Sequence, residues 1–196
     1  MKIITYSLFL IIAGCSNPNA ATKENFTKTI QEHLNNKYPI CYFKGSFPTT
    51  TKKFDISGNN KILRALSKAK ILSEKEISRE EIEIFKKETI ITYSYKLTDK
   101  GKKYYSSSKK GFCLGNAKIT SINTFSEPAE MRGYKISRVN YSYIVTGFPE
   151  WAKNKEVSSS LRGLKNDIES NAKPRNETDV LILTNNGWIH EQLFKK

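Results

Sequence analysis

The chain has 196 residues, a hydrophobic content of 38% and a formal net charge of +14 at pH 7. The length suits one domain or two small ones sharing a core, and no run beyond the first residues is long enough to cross a membrane. Lysine supplies 27 of the 33 basic residues and asparagine is abundant. An AT-rich genome produces that mix as readily as a ligand does, so the charge alone does not specify a nucleic-acid partner.

The N-terminus carries Lys2, a mostly apolar run from Ile3 to Ile12 and the small pair Ala13 and Gly14. A spanning helix needs about 20 apolar residues, so the pattern predicts a removable secretory signal over 1–14. Ile12-Ala13-Gly14-Cys15 resembles the lipobox of bacterial lipoproteins. The resemblance implies a diacylglyceryl group on the Cys15 thiol, cleavage before that residue and a fatty acid such as palmitate on the new amine. Ser16, rather than aspartate, as the second mature residue implies an outer-membrane lipoprotein facing the periplasm in a Gram-negative host. A cell-surface or Gram-positive membrane position fits the same motif. Residues 15–22 read as a polar, lipid-anchored tether. An exported, anchored protein does not meet nucleic acid, which leaves an anionic envelope component, an acidic protein, or a solvated basic surface with no dedicated partner.

Phe26, Ile30 and Leu34 recur four apart and predict a helix over 23–37, ended by Pro39. "ICYFKGSF" reads as a strand containing Cys41. An even pair of cysteines in an exported protein, Cys41 and Cys113, is most simply a disulfide; two buried thiols are the alternative. Ile62, Leu63, Leu66 and Ala69 predict a second helix over 59–70. Residues 74–88 fit a short helix or one arm of a hairpin. In "IITYSYKL", Ile91, Tyr93, Tyr95 and Leu97 share one face of a half-buried strand, and Thr98 caps a short turn.

"ILRALSKAKIL" followed by "YSYKLTDKG" resembles the second half of winged-helix domains. The similarity rests on Leu63, Leu66, Ile71, Leu72, Tyr95, Leu97, Thr98 and Gly101. These are structural positions, so it implies a fold and not DNA binding. The glutamates at 74, 76, 80, 81, 83 and 88 also make a poor surface for phosphates.

"SSSKKG", 106–111, reads as an internal boundary. Beyond it, "GFCLGNAKITSINTF" predicts one strand and "GYKISRVNYSYIVTGF" another. Val157, Leu161, Leu164 and Ile168 predict one amphipathic helix, despite Gly163. "DVLILT" and "NNGWIHEQLF" predict a hairpin turning at Asn185-Asn186-Gly187. The fold class expected is α+β. A helix-rich, winged-helix-like half with a hairpin (23–105) precedes a β-β-α-β-β half (112–194), an antiparallel sheet packed by one helix. The two halves can share one core.

No phosphate-cradling glycine loop, H-E-x-x-H or G-x-S-x-G occurs. No catalytic residue, cofactor or metal ligand is assigned. His33 reads as a partly buried helix residue, and His190 as a structural strand residue that can pair with an acid. Glu127 and Glu130 flank Pro128 on a loop. One candidate binding face is Tyr93, Tyr95, Tyr104 and Tyr105 among Lys96, Lys100, Lys102, Lys103, Lys109 and Lys110; a sheet with core tyrosines and solvated lysines is the plain alternative. Trp151, in "FPEWAK", either closes a core or, if exposed, marks a contact site.

Three functions fit. The first is a non-catalytic envelope lipoprotein that binds a macromolecule or stabilises an assembly. The second is an inhibitor or immunity-type lipoprotein that blocks a hostile enzyme. The third is a cell-wall-active enzyme using Glu127, Glu130 or Glu150. The sequence leans away from an enzyme and leaves the oligomeric state open.

Overall fold

Thr22 opens the first helix by accepting a hydrogen bond from the Asn25 N–H at 3.2 Å. The helix, α1, runs Lys23–Lys37, and Phe26, Ile30 and Leu34 are fully buried on one face. Removing each from water contributes about 2 kcal/mol. The computed structural model describes residues 17–83 and 87–194; the expected signal, the lipobox and Cys15 lie outside the described residues.

After α1 come β1 (Ile40–Lys44), β2 (Thr49–Lys52), α2 (Asn59–Lys68), β3 (Leu72–Glu83) and β4 (Lys87–Leu97). Then follow α3 (Asp99–Lys102), β5 (Tyr105–Ser106), β6 (Gly111–Leu114), β7 (Asn116–Phe125), β8 (Ala129–Met131) and β9 (Tyr134–Thr146). The chain closes with α4 (Glu150–Lys153), α5 (Lys155–Ser160), α6 (Leu164–Ile168), β10 (Arg175–Thr184) and β11 (Gly187–His190). The strands form sheets of order β1-β6-β5, β2-β4-β3 and β11-β10-β9-β7, with β8 extending the last along β9. Each of these strand pairings among the described residues is antiparallel. The architecture is α+β, with strand outweighing helix because β3, β4 and β9 are long.

The ambiguous segment 74–88 is strand: β3 is one arm of a long hairpin with β4. Residues 107–110 are the turn joining the paired strands β5 and β6. Thr98 does cap the following turn, accepting from the Gly101 N–H at 3.0 Å while its hydroxyl reaches Lys70 O at 2.8 Å. Gly101 is required by close approach, since a Cβ there would lie 2.0 Å from Ile71 O. Cys41 and Cys113 are opposite one another on β1 and β6, with their Sγ atoms at disulfide distance, 1.96 Å.

Three local expectations need correction. Residues 111–125 form two strands, β6 and β7, which belong to different sheets and meet at Gly115. The helix expected through Val157–Ile168 is broken: Leu161 is extended (φ −100°, ψ 116°) and Gly163 takes φ 83° ahead of α6. Val157, Leu161 and Leu164 are buried as their spacing implied, so the apolar period survives a break that Gly163 permits. The Pro128 loop is followed by β8, paired with the start of β9. The short polar strand β2 pairs with β4 at Thr49–Lys52.

Two apolar clusters result, and each draws on both parts of the chain. One joins Leu63, Leu66, Ile71, Leu72, Tyr95 and Phe112 to Trp151, Val157, Leu161 and Leu164 from α4, α5, α6 and their connections. The other buries the α1 stripe against Val139, Tyr141, Tyr143, Val145, Leu181 and Trp188 of the five-stranded sheet. The helix covering the C-terminal sheet is therefore α1, while α5 packs on α2. Phe148 packs against both clusters.

Candidate functional site

The most elaborate polar arrangement lies where the C-terminal half of α1 crosses the sheet. Period-2 alternation puts Tyr141 and Tyr143 of β9 and Glu177 and Asp179 of β10 beside each other, with Glu177 opposite Tyr141 and Arg175 opposite Tyr143. β11 adds His190, opposite Leu181. From α1 come His33 and Lys37, followed by Tyr38.

His33 and His190 stack with ring centroids 3.6 Å apart and planes at 7°. They are 4% and 0% exposed, so both rings are in the interior. His190 Nδ1 accepts the Gln192 N–H at 3.1 Å, so in the neutral ring the proton sits on Nε2. That nitrogen is 3.1 Å from Asp179 Oδ2. It lies off the line of a directed hydrogen bond, and the contact is therefore mainly electrostatic. Tyr141 donates to the same Oδ2 at 2.7 Å. The His190 N–H, and after it the Tyr141 hydroxyl, hold the Asp179 carboxyl below its ordinary range against the opposing effect of burial. Burial first, and then the neighbouring His190, push the His33 imidazole down.

Glu177 and Asp167 continue the network. Glu177 accepts from Lys37 at 2.9 and 3.2 Å, from Tyr143 at 2.8 Å and from Tyr141 at 3.2 Å. Burial would raise its pKa, but these donors outweigh it and the net shift is downward. Asp167 of α6 accepts from Tyr42 at 2.6 Å and Tyr38 at 3.2 Å, with Arg175 at 3.6 Å. Burial, reinforced by these carboxylates, raises the hydroxyl pKa values of Tyr42, Tyr141 and Tyr143. The network thus ties α1, β1, β9, β10, β11 and α6 together. Its carboxylates are already occupied by donors and are poor general bases.

His33, Asp179 and His190 also bring candidate metal-ligating atoms within 4.8 Å of one another. Tetrahedral zinc with bonds of about 2.1 Å needs its ligand atoms roughly 3.4 Å apart. The Gln192 N–H also occupies His190 Nδ1, so Nε2 holds the ring proton and has no free lone pair for a cation.

The aromatic and cationic halves of the expected binding face separate. Tyr95 is fully buried and donates to Glu74 at 2.8 Å. Tyr93 is half-buried beneath the Arg64 guanidinium. Tyr104 packs on Trp151, while Tyr105 packs on Phe47 and Phe112 and donates to Gly45 O. Trp151 is 5% exposed and closes a core. Lys96, Lys100, Lys102, Lys103, Lys109 and Lys110 face solvent. Glu127, Glu130 and Glu150 are exposed as well. Glu130 is paired at the start of β9 and Glu150 follows its end. At about 3.3 Å per residue, that strand's 13 residues separate them widely.

Sequence reasoning passed over "KKFDISG". Phe54 is 80% exposed and Ile56 106%. They project from the loop between β2 and α2, beside a groove of about 660 Å³ lined in part by Phe43, Lys44, Thr50, Lys52 and Leu63. Lys53 Nζ lies 5.5 Å from the Phe54 ring centroid. The available signal was two large apolar residues set among the turn formers Asp55, Ser57 and Gly58. The histidine pair had no such signal, because its members are far apart in the chain.

Comparison with protein-family models, with curated proteins and with solved structures finds no match to this chain.

Proposed function

We propose that this chain is a lipid-anchored envelope lipoprotein that binds another protein, without catalysis, through the Phe54–Ile56 loop and its groove. The observation that carries the binding role is the exposure of Phe54 and Ile56. Large apolar side chains grouped at a surface mark contact sites more often than scattered ones do. Lys44 and Lys52 line the adjoining groove and Lys53 lies over Phe54, so the matching partner surface is an apolar pocket with an acidic rim. Support for the anchor is the Ile12-Ala13-Gly14-Cys15 sequence, and support for an oxidising compartment is the juxtaposition of Cys41 and Cys113. The first half is read as winged-helix-like because α2 precedes the β3–β4 hairpin and β2 pairs on β4.

The test is a photo-crosslinking residue at position 56 in the producing cells, with a second at position 103 as control. A discrete protein adduct at 56, absent at 103 and lost with Phe54→Ser, is expected. No adduct at 56, or equal adducts at both positions, refutes the binding role.

A further inference from the structure

The expected tether is not free where it is described. Asn25 Nδ2 donates to Asn17 O at 2.9 Å and to Ala20 O at 2.8 Å. Trp188 Nε1 donates to Asn19 O and Ala20 O, both at 3.2 Å. Pro18 packs so closely on Gly187 that a Cβ there would come within 3.2 Å of Pro18 O. The first described residues therefore pack at the β10–β11 turn, and Ser16 alone separates Asn17 from Cys15. Two extended residues reach about 7 Å, so a lipid on Cys15 holds this end of the fold at the bilayer.

The sheet register identifies what else lies at that end. β10 pairs with β9 as far as Ile182–Ile136, just before the β10–β11 turn. Two residues earlier β9 starts at Tyr134, opposite Met131 of β8. The β8–β9 turn thus lies beside the β10–β11 turn, about 10 Å away at two strand spacings. Arg132 and Gly133 form it with φ values of 53° and 80°, the positive pair that a rigid two-residue hairpin uses. Met131 and Tyr134 flank the turn and are 58% and 38% exposed. Phe194 supports the Tyr134 ring edge-on at 5.3 Å. Glu130 is opposite Lys135.

We propose that Met131 and Tyr134 rest in the headgroup–acyl boundary of the bilayer that holds Cys15. The protein then stands on its two hairpin turns. This rests on the lipoprotein reading above. A tyrosine with an apolar body and a polar tip suits the interface. Two such side chains bind a membrane weakly alone, but an adjacent lipid makes the contact intramolecular. The half bearing Phe54 and Ile56 joins the sheet beyond the opposite end of α1, which is 15 residues long, or about 22 Å. That half faces away from the membrane.

The experiment places an environment-sensitive fluorescent amino acid at position 131 or 56 of the full chain. Each protein, purified from membranes, is reconstituted in vesicles of phosphatidylethanolamine and phosphatidylglycerol containing a lipid-borne quencher. Position 131 is expected to shift to the blue and to be quenched several-fold more than position 56, and to lose both effects in Cys15→Ser. A lipidated protein whose position 131 stays water-like, or whose position 56 is quenched instead, overturns the orientation alone. An intact mass without lipid overturns the anchor and the orientation together.

Discussion

His33 of α1 and His190 of the last strand stack face to face at 3.6 Å, with Asp179 3.1 Å from one of them. Burial and the neighbouring His190 both oppose a proton on His33, and outweigh the Asp179 carboxylate that favours one. Nearly all of the surrounding charge lies within one network, with Lys37 and Glu177 acting on His33 from α1 and β10. The contact therefore links the first helix to the end of the chain through protonation as well as packing.

Acid should weaken the fold in two stages. The His33 pKa is lowered from 6.5, so below that pH the unfolded chain takes up a proton that the native state resists. Stability present at neutral pH is lost as pH falls. The Asp179 and Glu177 values are lowered as well. Their contribution is present above the ordinary carboxylate range and disappears as pH drops through the native values. Urea midpoints measured from pH 7 to pH 3 should fall throughout, and His33→Gln should remove the stage that begins near 6.5. A midpoint unchanged between pH 7 and pH 5 in the parent protein would contradict this.

Glu177 is the acceptor shared by Lys37, Tyr141 and Tyr143. Glu177→Ala leaves the buried Tyr143 hydroxyl and the Lys37 cation without their partner, while Tyr141 keeps Asp179, and should cost about 3 kcal/mol. Tyr143→Phe, which removes one donor and keeps the packing, should cost about 1 kcal/mol. Denaturant unfolding of the two variants tests the ordering; equal losses would show that the carboxylate is dispensable.

Gly101→Ala should be among the most damaging single-methyl changes in the chain. The added Cβ would meet the Ile71 carbonyl oxygen, 2.0 Å away, where backbone must move. A loss of at least about 2 kcal/mol is expected. Lys102→Ala, one residue on and exposed, should stay within about 0.5 kcal/mol. Thermal unfolding of both variants compares the two sites.

Non-reducing peptide mapping should recover Cys41 joined to Cys113. Their sequence separation of 72 closes a loop whose cross-linking stabilises by about 4 kcal/mol in the chain-entropy account. Reduction should lower the unfolding midpoint accordingly. Two thiols alkylated in the native protein would exclude the bridge.

Much of the local structure was legible. Phe26, Ile30 and Leu34 mark α1 because helical period is a local property, and Asn185-Asn186-Gly187 marks the β10–β11 turn because few residues tolerate its backbone. The alternation Ile91, Tyr93, Tyr95 also identified a strand face, but period alone does not say that this face is the core, and Tyr95 was read as available when it is buried. The break before Gly163 was hidden because Val157, Leu161 and Leu164 keep helical spacing on both sides of it. β6 and β7 read as one strand since nothing local tells which sheet each joins. The histidine pair and the carboxylate network depend on α1 crossing a sheet built from the far end of the sequence, a long-range fact with no local trace.

That crossing affects the order in which the protein can form. α1 leaves the ribosome well before the sheet that covers it, which is complete only when Trp188 and His190 arrive. That helix must wait with its apolar stripe uncovered, a prolonged exposure that invites chaperone binding in transit. Until then the Asn19 and Ala20 carbonyl groups also lack the indole N–H of Trp188 that ties them to the sheet.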